Sequence, residues 1–355
     1  MNKPHPHHRA PLIYGLVLSA ILALAANQLG NLKWMTDHGF SALTIAIVLG
    51  MIIGNTIYPS IAGKSGSGVA FSKQTLLRAG VVFFGLRLTF QDVAHVGIPA
   101  IVIDTIIVTS TFILSWVVGT RVFGLERKAA MLIGTGSAIC GAAAVMAAEP
   151  VVKGRAEQVT VAVATVVIFG TLSIFLYPYL YSLNLPLLPH NASAFGIYAG
   201  STIHEVAQVV AAAGSVSADT ANTAVITKMV RVMMLAPFLI ALSVWLSRDP
   251  SHQSEHAASG NTQKPKLAIP WFAFGFIGVV IFNSLHLLPH NVVAIIIQID
   301  TLLLAMAMAA LGLSTHISAL RQAGIKPILL GLVIFLWLIV GGAIINKLIM
   351  SAFGL

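Results

Sequence analysis

Long runs of apolar residues, separated by short polar stretches, repeat along this chain. Several runs reach about 20 residues, and a helix of that length crosses a hydrocarbon layer of about 30 Å. The apolar segments lie at about 11–26, 41–58, 75–90, 98–119, 129–148, 157–181, 194–213, 222–247, 267–288, 292–312 and 327–350. The pattern predicts an all-α polytopic membrane protein with eleven apolar segments.

Polar sequence is confined to the ends of these segments. Residues 1–10 form a basic tail, and residues 248–266, rich in Ser, His, Gln and Asn, are typical of a flexible loop. The first apolar run resembles a signal peptide, but we interpret it as an uncleaved first helix. We therefore expect one integral membrane domain over 1–355, with the tail and this loop in the cytoplasm.

Two apolar segments carry the same polar motif. The sequence is GSAICG at 136–141, within 129–148, and GSTIHE at 200–205, within 194–213. A charged side chain at mid-bilayer costs roughly 2.5–3.5 kcal/mol, so ionisable groups there usually face a cavity or a partner. We interpret the two motifs as paired halves of one transport site.

The positions of Lys and Arg indicate how these two segments are threaded, because short cytoplasmic loops are enriched in both. If all eleven segments crossed the membrane, the basic loops at 121–128 and 153–155 would lie on opposite faces. If 129–148 and 194–213 enter and return, every loop with two or more basic residues lies on the side of the N-terminus. This predicts about nine full transmembrane helices plus two re-entrant segments, with the C-terminus outside. Broken helices that cross remain the alternative.

A second internal match indicates duplication. The sequence GLRLT at 85–89, followed by Gly97, corresponds to GLSTH at 312–316, followed by Gly324. In the re-entrant topology these linkers lie on opposite faces, as an inverted repeat requires. The two matched pairs occur in a different order in the two halves, so either the repeat is permuted or one match is chance.

The Gly-Ser motifs favour a small oxyanion as ligand. Half-helix N-termini present free N–H groups and the positive end of the helix dipole, and the neighbouring hydroxyls add donors. The predicted substrate-binding residues are Gly136, Ser137, Gly200, Ser201, Thr202, Lys228 and Arg231. The alternative is that the Gly and Ser residues only permit tight helix packing and that the two cations snorkel to a membrane surface.

His204 and Glu205 are the candidate proton-coupling residues. Adjacent residues point about 100° apart on a helix, so one is expected to face the cavity while the other makes a structural contact. A neutral histidine bonded within the bundle is the alternative. Asp104 and Asp300 also lie in apolar runs and could carry protons, and Arg87 is a weaker anion-site candidate.

Composition narrows the functional class. Hydrophobic residues make up 57% and charged residues 9% of the 355 residues, and the formal net charge is +9. Because Lys and Arg lie mostly between the apolar runs, the positive charge indicates topology and contact with anionic lipid rather than nucleic acid. Cys140 is the only cysteine, which excludes an intramolecular disulfide and a cysteine metal cluster. No phosphate-loop, HExxH or GxSxG motif occurs, so we expect no enzymatic activity, metal or cofactor.

Four runs resemble the YeiH family of bacterial inner-membrane proteins, which is described as sulfate exporters. These runs are 77–90, SAICGAAAV at 137–145, GSTIHEVAQVV at 200–210 and KMVRVMM at 228–234. The resemblance covers nearly the whole chain, and the run at 200–210 is specific. It implies an inner-membrane location and a loose relation to inverted-repeat antiporters and anion symporters.

These observations predict a secondary transporter that exports sulfate or a related sulfur-containing anion, with alternating access around the two broken segments. The alternative is an ion channel or a cation/proton antiporter that uses Glu205, Asp104 or Asp300 as its ion-binding carboxylate. The solute, the direction, the coupling ion and the oligomeric state, including a homodimer, stay open.

Overall fold

The computed structural model describes residues 9–32, 35, 41–248, 271–315 and 324–354, and the regular structure of those residues is helical throughout. The helices are α1 Arg9–Gly30, α2 Ala42–Asn55, α3 Tyr58–Phe71, α4 Leu77–Phe84, α5 Phe90–Arg121, α6 Arg127–Ala138, α7 Ala142–Val152, α8 Ala156–Ser182, α9 Ala192–Thr202, α10 Val206–Gly214, α11 Ala218–Met233, α12 Leu235–Ser247, α13 Trp271–Ser284, α14 His290–Leu313, α15 Ile325–Leu336 and α16 Gly342–Phe353. The predicted tail at 1–10 and loop at 248–266 lie almost wholly outside the described residues.

Seven helical stretches in the described ranges are long and apolar enough to cross a membrane. They are Ala10–Gly30, Tyr58–Arg87, Val96–Arg121, Glu157–Ser182, Ala218–Ser247, His290–Leu313 and Ile325–Phe353. Shorter apolar helices include α2 and Ala142–Val152. The predicted class, an all-α polytopic membrane protein, is confirmed for this part of the chain.

The stretch 58–75 differs from the prediction. The predicted apolar segments 41–58 and 75–90 leave it as a loop between them, but the chain is helical from Tyr58 to Arg87, with a π-helical turn at Ser72–Leu76. The small residues are contact residues instead, because a Cβ at Gly68 would collide with the carbonyl oxygen of Leu12 in α1. Glycine lets the backbones of α1 and α3 touch, as small residues do between membrane helices.

The helices form two packed groups. One buried cluster joins α1, α2, α3 and α14, where Gly50 of α2 touches the backbone of Ala309 in α14. The other cluster holds α5, α8 and α11 together with the short helices at the Gly-Ser motifs. The candidate site therefore lies in the interior of the second group.

We expect Gly68→Ala to lower the melting temperature of the detergent-solubilised protein. The added methyl group must push α1 and α3 apart, at a cost of about 1–3 kcal/mol. Gly66→Ala is the matched control, since nothing lies within 4 Å of a Cβ there and alanine is the better helix former. Differential scanning fluorimetry measures both variants, and a Gly68→Ala protein as stable as wild type would contradict the backbone contact.

Candidate functional site

Two helical segments are interrupted at the Gly-Ser motifs. The first broken segment consists of α6 and α7, which are separated by residues 139–141, and the second consists of α9 and α10, which are separated by residues 203–205. Gly141 has a φ of +72°, a backbone conformation that residues with a Cβ rarely adopt. The interruption that each motif predicts is present in the structure.

The first broken segment returns to the side on which it begins. Arg155, just after α7, donates from Nη2 to Oε1 of Glu126, just before α6, at 2.6 Å. Gln158 donates to the other oxygen of Glu126 at 2.7 Å. Because Glu126 and Arg155 touch, the two ends of this segment lie side by side.

The second broken segment also folds back. Gly196 lies against the backbone of Thr220, and Gly200 lies against that of Ala224, so α9 and α11 run parallel. The chain must therefore return from residue 203 to the level of the start of α9 before α11 begins at Ala218. Helix α10 makes this return.

Lys228 of α11 joins the tips of the two broken segments, that is, the interruptions at 139–141 and 203–205 together with the helix ends beside them. Its ammonium group donates to the carbonyl oxygen of Ile139 at 2.7 Å and to that of Ile203 at 2.6 Å. The side chain is 0% exposed. One buried cation therefore holds both interruptions at once.

Arg231, one turn further along α11, binds the same two tips and is also 0% exposed. Its Nε donates to the carbonyl oxygen of Ala138 at 2.6 Å, and its Nη2 donates to that of Ser137 at 3.0 Å. Its Nη1 lies 3.4 Å from the carbonyl oxygen of Ile203. The structure thus places Lys228 and Arg231 at the predicted site rather than at a membrane surface, where snorkelling would take them.

The other predicted ligand residues lie at the opposite helix ends from those expected. Gly136 and Ser137 are in the last turn of α6, and Gly200, Ser201 and Thr202 are in the last turn of α9. A helix C-terminus presents carbonyl oxygens and the negative end of the dipole. The prediction that these residues offer N-terminal N–H groups is therefore wrong, because the motif marks an interruption but not the direction of the helix that runs into it.

Several of these residues also have contacts within the fold. The hydroxyls of Ser201 and Thr202 donate to the carbonyl oxygen of Tyr198 at 3.1 Å and 2.5 Å. A Cβ at Gly200 would collide with α11, and a Cβ at Gly136 would lie 2.6 Å from Val145 of α7. For the two glycines, the packing alternative describes the structure.

Glu205 occupies the helix N-termini at this crossing. Its Oε1 accepts a hydrogen bond from the N–H of Ala142, the first residue of α7, at 3.1 Å. Glu205 is also the N-cap residue of α10, where its backbone N–H donates to Oε1 of Gln208 at 3.0 Å. A Cβ at Gly141 would meet the Glu205 side chain. The carboxylate therefore bonds to the first amide of α7 and lies at the start of α10, and negative charge is stabilising at both helix N-termini.

His204 is buried beside Glu205, with 1% of its surface exposed. Its ring centroid lies 6.3 Å from that of Phe335, and its Nδ1 has no hydrogen-bond partner among the described residues. The proton-coupling roles of His204 and Glu205 stay predictions. Gln208 was missed by the sequence interpretation, although a glutamine three residues after a capping residue is a capping-box pattern.

Asp104 of α5 belongs to the same cluster. It is 0% exposed, and neither carboxylate oxygen has a hydrogen-bond partner in the described part of the chain. Lys228 and Arg231 are the charged groups within its electrostatic range. Asp300, by contrast, lies elsewhere and is paired with Arg87 at 2.7 Å, so neither of those two residues joins the site.

A cavity of about 500 Å³ opens beside the start of the second broken segment. It is lined by Leu88, Val96, Asn191, Ala192, Ser193, Ala194, Ile197, Asp219, Asn222, Thr223, Ile226 and Met350. Ile226 precedes Lys228 by two residues, about 3 Å of helix rise. The cavity therefore reaches almost to the level of Lys228 along α11, although Ile226 and Lys228 point about 200° apart around the helix. Within the described ranges, no three His, Cys, Asp or Glu side chains converge as a metal site requires.

Comparisons with known proteins match nearly the whole chain. The family described as conserved hypothetical protein 698 matches residues 14–331. A UPF0324 membrane protein of Pseudomonas aeruginosa is 57% identical over 342 residues, which is 96% of this chain and 95% of that protein. The UPF0324 inner membrane proteins YeiH of Escherichia coli K12 and Salmonella typhimurium are each 56% identical over 341 residues, with 96% and 95% coverage. No solved structure matches.

We expect Glu205→Ala to destabilise the protein more than Glu205→Gln does. Alanine leaves the N–H of Ala142 at the start of α7 without its acceptor, and loss of a capping side chain costs about 0.5–2 kcal/mol. Glutamine keeps an acceptor oxygen but loses the negative charge. Melting temperatures of the two purified variants measure the difference, and an alanine variant as stable as the glutamine variant would contradict this capping contact.

Proposed function

This chain belongs to the UPF0324 family, and from that membership and the geometry of its site we propose that it is a secondary transporter of a small oxyanion in the bacterial inner membrane. The relatives confirm the resemblance to the YeiH family. The E. coli and Salmonella relatives are named inner membrane proteins, and we extend that location to this chain. The substrate class is sulfate or a related sulfur-containing anion.

The single observation that carries the proposal is the environment of Lys228 and Arg231. Both side chains are fully buried, and neither forms a salt bridge with a described residue. Their hydrogen-bond acceptors are neutral backbone carbonyls. Buried charges are normally paired with an opposite charge. No described carboxylate is in direct contact with either cation, so a small anion that reaches this point would supply a contacting partner.

The same contacts suggest how anion binding moves the protein. Lys228 and Arg231 hold the first and second broken segments together through carbonyl oxygens at both tips. Hydrogen bonds to a charged acceptor are roughly twice as strong as those between neutral groups, so an anion competes well for both cations. When the cations turn to the anion, the two segments are released from each other. Alternating access around a fixed site follows from that release.

We propose the re-entrant topology over the crossing alternative. Nine full spans and two re-entrant segments place the N-terminus in the cytoplasm and the C-terminus in the periplasm. Glu126 and Arg155 then share the cytoplasmic face with the other basic residues near both ends of the first segment. The 500 Å³ cavity opens to the periplasm, and the internal matches at 85–97 and 312–324 are the remnant of an inverted repeat.

A cation is the less well supported substrate. Carbonyl oxygens at two helix C-termini would suit a bound cation. In this structure Lys228 and Arg231 already occupy those oxygens. A transported cation would have to displace two positive charges, whereas an anion binds to them.

The topology predicts that cysteines at positions 126 and 155 crosslink. Glu126→Cys and Arg155→Cys, introduced after Cys140→Ser, replace two side chains that touch at 2.6 Å. Crosslinking of the pair by a flexible bismaleimide is measured by a mobility shift, since a contact between the tips of two long side chains does not require the Cα separation of under ~7 Å that a disulfide needs. The pair at Glu126 and Asn191 is the control, since the proposed topology places these residues on opposite faces. Labelling of positions 126 and 155 from opposite sides of the membrane by an impermeant maleimide would contradict the re-entrant topology.

The transport function predicts that purified protein in liposomes takes up labelled sulfate or sulfite across a pH gradient. Lys228→Met should reduce uptake by about tenfold or more, because a hydrogen bond to a charged group is worth roughly 1.5–3 kcal/mol. Lys326→Met, which changes an exposed lysine outside the cluster, is the matched control. Wild-type protein that moves neither sulfate, sulfite nor a sulfonate would overturn the substrate class.

A further inference from the structure

Asp104 is a buried carboxylate that has no role in the anion-binding mechanism proposed above. It lies in the middle of α5, the helix that packs against both α6 and α11. It is fully buried, and both of its oxygens lack a hydrogen-bond partner in the described ranges. A carboxylate buried in this way is costly unless it is paired or carries a proton. The charged groups around Asp104 determine whether its carboxylate is paired with a cation or carries a proton.

The positive charges around Asp104 come from one helix. Lys228 and Arg231 of α11 lie within its electrostatic range. The other helices that pack against α5 carry their charged groups near their ends or at the surface. Arg127 and Lys128 begin α6, and Lys326 is near the start of α15. Lys347 of α16 is exposed and donates to the carbonyl oxygen of Pro186. Helix α9 contributes the phenol of Tyr198, which donates to the carbonyl oxygen of Ile339. Asp104 is therefore tied electrostatically to the two cations that we assign to the substrate.

The four charged groups of the cluster balance only when Asp104 is ionised. Lys228 and Arg231 are matched by Asp104 and by Glu205, and Glu205 accepts a hydrogen bond at the start of α7. If a singly charged anion binds to the cations, one carboxylate must lose its charge to keep the buried site neutral, because a net buried charge is strongly disfavoured. Asp104 can do so without weakening a hydrogen bond, whereas protonation of Glu205 would weaken its bond to the N–H of Ala142.

We propose that Asp104 is the proton-coupling carboxylate of this protein: it neutralises Lys228 and Arg231 when the substrate site is empty and takes up one proton when an anion binds there. The inference deepens the transport function proposed above and rests on it. The step is a simple protonation, in which a carboxylate and a proton from water give a carboxylic acid and no other bond changes. Val96, about 12 Å before Asp104 on the same helix, lines the 500 Å³ cavity, and we assign the entry of the proton and of the anion to this cavity.

The coupling that follows is symport of an anion with protons. One proton on Asp104 balances a singly charged anion such as hydrogen sulfite, so the loaded site and the empty site then carry the same net charge. The proton-coupling role moves from His204 and Glu205 to Asp104. The exposed Asp219, at the mouth of the cavity, has no part in it.

Asp104→Asn separates exchange from proton-driven uptake. The amide mimics the protonated acid, so liposomes that contain the variant should still exchange internal sulfite for labelled external sulfite. They should lose the several-fold accumulation that an inward proton gradient drives in wild type. Asp300→Asn is the matched control, because it changes a buried aspartate that is paired with Arg87 outside the cluster, and it should keep proton-driven accumulation. Proton-driven accumulation by Asp104→Asn would overturn the assignment.

Infrared spectroscopy tests the protonation without any transport. Difference spectra of the purified protein with and without sulfite at one pH should show a carboxylic-acid band that is absent in Asp104→Asn and present in Asp300→Asn. An unchanged band in Asp104→Asn would overturn the inference even if transport is observed. Wild-type protein that shows the band but neither exchanges nor accumulates sulfate or sulfite would refute the transport function and leave Asp104 as a buried proton site. If Asp104→Asn does not fold, Asp104→Glu should keep both the band and the proton-driven uptake.

Discussion

The interior of this protein depends on satisfying the backbone where two helices are interrupted. Unpaired carbonyl and amide groups cost several kcal/mol each away from water, and interrupted helices at membrane depth expose both kinds. Here Lys228 and Arg231 bind the carbonyl oxygens at the ends of α6 and α9, and Glu205, at the start of α10, binds the first amide group of α7. Each charge lies at the helix end whose dipole favours it.

This arrangement holds the two broken segments together with few side chains. Lys228 alone bonds to both tips, and Glu205 of the second segment bonds to the first residue of α7 in the first. Because neutral carbonyls are modest partners for a buried cation, a charged ligand can compete with them. Contacts of this strength suit a site that must both close and open. A core of apolar side chains alone would hold the segments without offering a ligand anything to displace.

Close helix packing positions the charged residues. Gly196 and Gly200 bring α9 against α11 through their backbones, which places Ile203 within reach of Lys228 and Arg231. Gly141 leaves room for the Glu205 side chain where any Cβ would meet it. The glycines of the two motifs therefore act by admitting a neighbouring helix or side chain, and the cations and the carboxylate supply the electrostatics.

The sequence alone determined the membrane class, the two interruptions and the chemical groups near them, because apolar run length, Gly-Ser motifs and isolated charges are local features of the chain. It indicated Lys228, Arg231 and Glu205 as site residues, and the structure brings all three together. It misread the Gly- and Lys-rich stretch at 58–75 as a loop, since the partner that gives Gly68 its packing role lies in α1. It also reversed the polarity of the helix ends at the motifs, because an interruption looks the same from either direction.

Only the tertiary structure decided that carbonyl groups, not N–H groups, meet the two cations, and that Asp104 lies within their reach, since helices distant in sequence create both environments.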